Sequence, residues 1–136
     1  MKIVLFLFSG VMGLVPSGTA SSYVMAQPEL MWPVPAYWSL EDAATVPFAY
    51  MYAYYCLFIK TVSSNNFVLV HGGAGALGQA VISVALARGC RVFTTVGDYA
   101  KKRFLLNLFP QINGMTFFGI MNVTFVRFVQ SFQIRL

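Results

Sequence analysis

The sequence predicts an α/β fold built on a parallel sheet, from a strand and helix pattern that occurs twice. The β-forming run Phe67–His71 is followed at once by a glycine-rich turn and then by apolar residues at helical spacing. The apolar run Cys90–Val96 then predicts a second strand, and Tyr99–Leu108 a second helix. Strands that alternate with helices are typical of parallel sheets, because parallel strands need a long crossover connection.

The residues before this pattern predict a different layer. Val11–Pro16 and Ser22–Ala26 are predicted strands, separated by a Pro-Ser-Gly turn. An irregular link should follow them, since proline stands at positions Pro28, Pro33 and Pro35.

Two helices are predicted between this layer and the first parallel strand. Ser39–Asp42 has the pattern of a capping box that opens a short helix, and Pro47 suits the first residue of a longer one. The longer helix carries many aromatic side chains, for which core packing is the expected role and a cofactor or substrate wall the alternative. They are Phe48, Tyr50, Tyr52, Tyr54, Tyr55 and Phe58.

The ends of the later helices also have recognisable signals. Gly89 stands where a C-terminal cap belongs. Asp98 is placed to cap the helix that begins at Tyr99, and Pro110 ends it.

Composition limits the possible functions. The chain has 136 residues, of which 58% are hydrophobic and 10% are charged, and this excludes a disordered tail or a basic nucleic-acid arm. The formal net charge is +5, and all but one of the lysines and arginines follow residue 59. Only Lys101, Lys102 and Arg103 form a cluster, which favours a phosphate-sized partner over a nucleic acid.

Metal and redox motifs are missing from the sequence. Cys56 and Cys90 are far apart, so two buried free thiols are expected. His71 is the only histidine, which excludes a multi-histidine metal site, and a packed or capping role is expected for it.

The first twenty residues resemble a signal peptide. The apolar run Ile3–Val15 has thirteen residues, too short to cross a bilayer, which takes about twenty. We expect no transmembrane helix, and interpret the start as a truncated or mispredicted beginning, with a true signal peptide as the alternative.

The glycine turn has the spacing of a dinucleotide-binding fingerprint, Gly73-x-Gly75-x-x-Gly78. The first glycine permits a tight turn, the second lets a pyrophosphate approach the backbone, and the third lets helix and strand pack closely. Because a strand precedes the motif and a helix follows it, we predict a bound dinucleotide. The alternative is a structural glycine turn.

The end of the second strand gives conflicting signals about the cofactor. Asp98 lies twenty residues after Gly78, where an acidic residue binds the ribose 2′-OH of NAD. Lys101 follows and suits a 2′-phosphate instead. We favour Asp98 as the helix cap and Lys101 as the phosphate ligand, with Lys102 and Arg103 on a solvated face.

Several separated segments resemble the enoyl reductase domain of animal fatty acid synthase, in the zinc-free branch of the medium-chain dehydrogenase/reductase superfamily. The resemblance covers roughly residues 10 to 113. Its segments are Val11–Pro16, Trp38–Pro47, Tyr54-Tyr55, Val68–His71 with the glycine loop, Gly89–Gly97 and Phe109–Ile112.

The resemblance implies an incomplete Rossmann-type sheet. Residues 10–46 correspond to a remnant of a GroES-like substrate domain and residues 47–113 to the first half of the NADPH-binding domain. Residues 1–9 stay uncertain and residues 114–136 unassigned. The family's cofactor contacts fall on Gly73, Gly75, Ala76, Leu77, Gly78 and Lys101.

The implied activity is NADPH-dependent reduction of a trans-2-enoyl chain on acyl carrier protein. It takes place within a cytoplasmic, homodimeric, multidomain synthase that makes fatty acids or polyketides. In this family a hydride passes to the β-carbon and a proton to the α-carbon.

Departures from the family keep two other hypotheses open. Tyr52 stands where the family has a small hydroxyl residue, and Asp98 where it often has serine. The family's proton donors, a lysine and an aspartate, fall beyond residue 113, so no catalytic residue is named. The alternatives are a non-catalytic remnant with weak or no nucleotide binding and a small secreted or membrane-associated hydrophobic protein.

Overall fold

The structure is a computed structural model that describes residues 10–15, 22–59, 62–112 and 117–119, the last three for their backbone alone. The chain divides into two compact units, residues 1–51 and 52–136. The signal-like start at residues 1–9 and most of the unassigned tail lie outside the described residues.

The helices and strands follow one another in the order β1, β2, α1, α2, β3, α3, β4, α4 and β5. A 3₁₀ turn, Pro28–Leu30, precedes β2, and a π-helical segment, Tyr55–Ile59, follows α2. The bounds of the strands and α-helices are β1 Val11–Gly13, β2 Met31–Pro33, α1 Leu40–Ala44, α2 Val46–Tyr54, β3 Phe67–Val70, α3 Ala76–Ala87, β4 Arg91–Val96, α4 Tyr99–Leu108 and β5 Phe117–Gly119.

The first unit contains a short antiparallel ribbon. β1 pairs with β2, with Met12 opposite Trp32. The predicted strand Ser22–Ala26 was wrong, because this segment pairs with no strand among the described residues and its apolar side chains Tyr23, Val24 and Met25 are exposed. Its place is taken by β2, in a segment predicted to be an irregular link. Pro33 is tolerated at the end of β2 because a two-stranded ribbon has free edges.

The predicted N-cap of α1 is confirmed. The Asp42 amide donates to Ser39 Oγ at 3.0 Å, and the Ser39 hydroxyl donates to the Asp42 carboxylate at 2.8 Å. The second bond replaces the backbone contact of a full capping box. The longer helix, α2, begins at Val46, one residue before the predicted position of Pro47.

The expected core packing of the α2 aromatics was wrong. Ala49, Ala53 and Leu57, spaced four residues apart, are the buried positions of this helical stretch besides Pro47. Two alanines and a leucine thus occupy the buried face, and the aromatic side chains point elsewhere. The exposed aromatics are Phe48, Tyr50, Tyr52, Tyr54, Tyr55 and Phe58.

The second unit holds a three-stranded sheet in the order β3, β4, β5. All pairs are parallel, with Val70 opposite Thr94 and Val96 opposite Gly119. This confirms the predicted α/β class. Consecutive strands laid side by side with helical crossovers form one half of a doubly wound sheet. β5 lies in the tail that the sequence left unassigned.

The core of this unit lies between the sheet and its helices. Ile82 of α3 and Leu105 of α4 are fully buried and join Val92 and Val96, which alternate to one face of β4. One contiguous cluster therefore fixes both helices on the sheet.

The end of α3 confirms the glycine cap. Gly89 has φ +73°, its amide donates to the Leu86 carbonyl, and the Cys90 amide donates to the Ala85 carbonyl. These are the two bonds of a Schellman motif, and they direct the chain back into β4.

Candidate functional site

The predicted fingerprint forms the loop between β3 and α3. It leaves the carboxyl end of β3, where parallel α/β sheets bind their ligands, and ends at Gly75, the N-cap of α3. The turn is made by Gly72, whose φ of +69° disfavours residues with a Cβ.

Two of the fingerprint glycines are fixed by packing. A Cβ at Gly73 would overlap the Thr94 hydroxyl oxygen and lie 3.0 Å from Ile82 Cδ1. A Cβ at Gly78 would overlap the Gly72 carbonyl oxygen and lie 2.7 Å from Gly73 Cα. The first turn of α3 therefore packs directly on the backbone of the loop.

The middle glycine is different. A Cβ at Gly75 would meet only the Gly72 carbonyl oxygen, at an ordinary 3.4 Å, and its φ of −75° suits any residue. Packing within the protein therefore does not require glycine here. Gly75, Ala76 and Leu77 are exposed, and no side chain caps the helix. A bare, accessible first turn of a helix is suited to an anion.

Two threonines of β4, which the sequence reasoning missed, hold this loop. Thr94 and Thr95 are fully buried. The Thr94 hydroxyl donates to the Val70 carbonyl at 2.9 Å. Thr95 accepts twice, from the Gly72 amide on its hydroxyl and from the Gly73 amide on its carbonyl, both at 3.1 Å. The available signal was a pair of adjacent hydroxyl residues inside an otherwise apolar strand.

His71 and Gln79 complete the loop. His71 Nδ1 lies 3.3 Å from Thr95 Oγ1, and the residue is exposed, so of the expected packed or capping role the packed alternative was wrong. The Gln79 side-chain amide donates to the Ala74 carbonyl at 2.8 Å. Side chains on both sides of the loop thus fix its backbone.

The second turn of the site follows β4. Asp98 Oδ1 accepts from the Lys101 amide at 2.8 Å, which confirms Asp98 as the N-cap of α4. Asp98 Oδ2 lies 3.1 Å from Lys101 Nζ, and both side chains are about half exposed. The Lys101 amide, and next its ammonium group, hold the pKa of Asp98 below its usual value.

The two turns lie at one edge of the sheet, because β3 and β4 are parallel neighbours. The structure therefore brings Gly73, Gly75 and Gly78 to the same edge as Lys101. Lys102 is half-buried and Arg103 exposed on α4.

Within the described residues, no group of three histidines, cysteines or acidic residues could hold a metal ion. Both cysteines are free thiols, but only Cys90 is buried as expected, since Cys56 is partly exposed.

Nowhere in the described ranges is a helix long and apolar enough to span a membrane.

The chain has relatives among fungal synthases. It is 42% identical over 77 residues to lovastatin diketide synthase mokB of Monascus pilosus, an alignment that covers 56% of this chain and 3% of that protein. No protein-family model matches the chain.

Solved structures share the fold. The quinone oxidoreductase of Thermus thermophilus, solved also in complex with NADPH, is 35% identical with a TM-score of 0.62. That match covers 65% of this chain and 30% of the other. The CurK enoyl reductase is 26% identical with a TM-score of 0.65, covering 76% of this chain and 30% of the other.

The chain thus spans about a third of the length of these reductases and a few per cent of the synthase. It is similar in sequence to a segment of fungal polyketide synthases and in fold to part of the enoyl and quinone reductases.

Proposed function

We propose that this chain is part of an NADPH-dependent enoyl reductase. The reductase would reduce the trans-2-enoyl double bond of an acyl chain on acyl carrier protein, within a multidomain synthase of the polyketide or fatty acid type. The glycine loop carries the proposal. Packing requires glycine at Gly73 and Gly78, but it does not require glycine at the exposed Gly75.

The residues present fit a dinucleotide. The exposed first turn of α3 offers the backbone amides of Ala76 and Leu77 to a pyrophosphate, and the bare Gly75 lets it approach. Gly73 and Gly78 keep that turn close to the sheet. Lys101, in the first turn of α4 just after the neighbouring strand β4, offers an ammonium group to a 2′-phosphate. The NADPH complex of the Thermus quinone oxidoreductase supports the choice of cofactor.

When bound, NADPH supplies the hydride of the reduction. The residues of this chain bind and orient the cofactor, and none is assigned the proton transfer. Residues 10–46 fit a remnant of a GroES-like substrate domain and residues 47–113 the first half of a Rossmann-type domain. A cytoplasmic, homodimeric parent synthase completes the proposal, and the fungal relatives favour a polyketide product over a fatty acid.

Titration of the purified full chain with NADPH, followed by nicotinamide fluorescence, tests cofactor binding. A saturable change is expected. A flat response to both NADPH and NADH would contradict the proposal and favour a remnant that does not bind nucleotides.

Sequencing of the complete transcript tests the parent synthase. We expect the reading frame to continue into the remaining strands of the sheet. An in-frame stop directly after Leu136 in the mature message would contradict a role within a synthase.

A further inference from the structure

The ion pair after β4 joins one carboxylate to one lysine at two points. Asp98 Oδ1 accepts from the Lys101 amide at 2.8 Å, and Asp98 Oδ2 lies 3.1 Å from Lys101 Nζ. The lysine proposed to meet a 2′-phosphate is thus already paired with a negative charge.

The carboxylate cannot turn away without a loss to the helix. Asp98 has extended backbone angles, φ −154° and ψ 169°, and its Oδ1 caps an amide in the first turn of α4. An approaching anion therefore meets a carboxylate that stays near Lys101 Nζ. The lysine side chain is less restricted, because an exposed ion pair contributes little to stability and exchanges readily.

The Asp98–Lys101 pair should affect the binding of NADPH and of NADH differently. A 2′-phosphate gains the ammonium group of Lys101 but is repelled by Asp98 a few ångströms away. A ribose 2′-hydroxyl donates a hydrogen bond to a carboxylate at this position. Asp98 therefore opposes the phosphate and favours the hydroxyl.

We propose that Asp98 is a specificity-determining residue that lowers the preference of this site for NADPH and lets it accept NADH with comparable affinity. This inference rests on the proposed binding of a dinucleotide at the glycine loop. It extends that proposal by assigning the choice between the two cofactors to the Asp98–Lys101 pair.

The test compares dissociation constants for NADPH and NADH, measured by nicotinamide fluorescence on the full chain and its variants. Asp98→Asn removes the charge and keeps a side chain that caps helices equally well, and Asp98→Ser is a second variant that caps. Circular dichroism melting verifies that each variant folds. Lys101→Gln is the matched change on the other side of the pair.

The wild-type chain should bind the two cofactors with dissociation constants within about tenfold of each other, since one charge offsets the other. Asp98→Asn and Asp98→Ser should shift the ratio toward NADPH by about tenfold, the order expected for one exposed charge near a phosphate. Lys101→Gln should weaken NADPH by a similar factor and leave NADH nearly unchanged.

The outcomes separate the two proposals. If both cofactors bind but the ratio is the same in the wild-type chain and both Asp98 variants, the inference about Asp98 is overturned and cofactor binding stands. A wild-type preference for NADPH above about tenfold also overturns it. If neither cofactor binds to the wild-type chain, the proposed function fails and the inference with it.

Discussion

The loop after β3 and the loop after β4 lie at the same edge of the sheet, but different forces hold them. In the first loop, backbone meets backbone at Gly72, Gly73 and Gly78, with no room for a Cβ on either Gly73 or Gly78. In the second, one half-exposed carboxylate at Asp98 binds one half-exposed lysine.

This difference separates residues that the fold requires from residues that can change ligand preference without a large loss of stability. Overlap with a packed backbone costs stability whatever ligand is present, because protein interiors have few voids. Exposed charges contribute little to stability but act on an approaching anion. Changes at Gly73 and Gly78 in the first loop should therefore affect folding, and changes in the second loop should affect ligand choice.

The largest effect is expected for Gly78→Ala. Its Cβ would overlap the Gly72 carbonyl oxygen and crowd Gly73, and neither is a flexible side chain that can move aside. We expect a loss of about 3 kcal/mol or more in the free energy of unfolding, measured by urea denaturation, and no measurable NADPH binding. A stable Gly78→Ala variant would contradict the close packing of α3 on the loop.

Gly75→Ala is the matched control in the same loop, with the opposite result. The added Cβ meets only an ordinary contact, so the stability to urea should stay unchanged or rise by about 0.5 kcal/mol. The affinity for NADPH should fall by about tenfold or more, because the methyl group stands where a pyrophosphate approaches the backbone. Full NADPH affinity in this variant would argue that Gly75 faces no ligand.

The first loop was predictable from the sequence because its signals are local. A short β-forming run, three glycines at fixed spacing and a helical repeat all act within about twenty residues, and each agrees with the others. The caps at Ser39, Gly89 and Asp98 were predictable for the same reason.

The parts that failed depend on distant contacts. Ser22–Ala26 and Met31–Pro33 are both plausible strands locally, and only pairing with β1 selects the second. The aromatics of α2 have a core-like composition, but burial follows Ala49, Ala53 and Leu57. The roles of Thr94 and Thr95 follow from strand register, since a hydroxyl in a strand has no fixed partner until the strands are aligned.

Thr95→Val should have a moderate effect, between the glycine changes and the surface pair. Valine keeps the shape of the side chain but leaves the Gly72 amide without its acceptor in a part-buried position. We expect a loss of about 1 to 2 kcal/mol in the free energy of unfolding, measured by urea denaturation.

Thr45→Val is the control for the threonine change, because its hydroxyl bonds to Asp42 at an exposed position. A loss within about 0.5 kcal/mol is expected there. Equal losses for the two variants would argue against a special role of Thr95 in holding the loop.

The smallest effect concerns Asp98 and the pH. The Lys101 amide lowers the pKa of Asp98 in the folded chain, so the ionised carboxylate stabilises α4. This contribution is fully present above about pH 4, the pKa of an unfolded aspartate, and is lost as the pH falls through the lower pKa of the folded state. The thermal midpoints of the wild-type chain and Asp98→Asn should therefore differ slightly at pH 7 and converge as the pH falls below the pKa of Asp98 in the folded chain.

Because the Asp98–Lys101 pair is exposed, added salt should also reduce the difference in thermal midpoint at pH 7. Salt would have much less effect on a buried ion pair. A difference that persists unchanged at low pH would show that Asp98 stabilises the turn by its shape and not by its charge. Both loops would then depend on steric fit, and the contrast between them would weaken. The charge of Asp98 could still set a ligand preference, but it would not contribute to the stability of the turn.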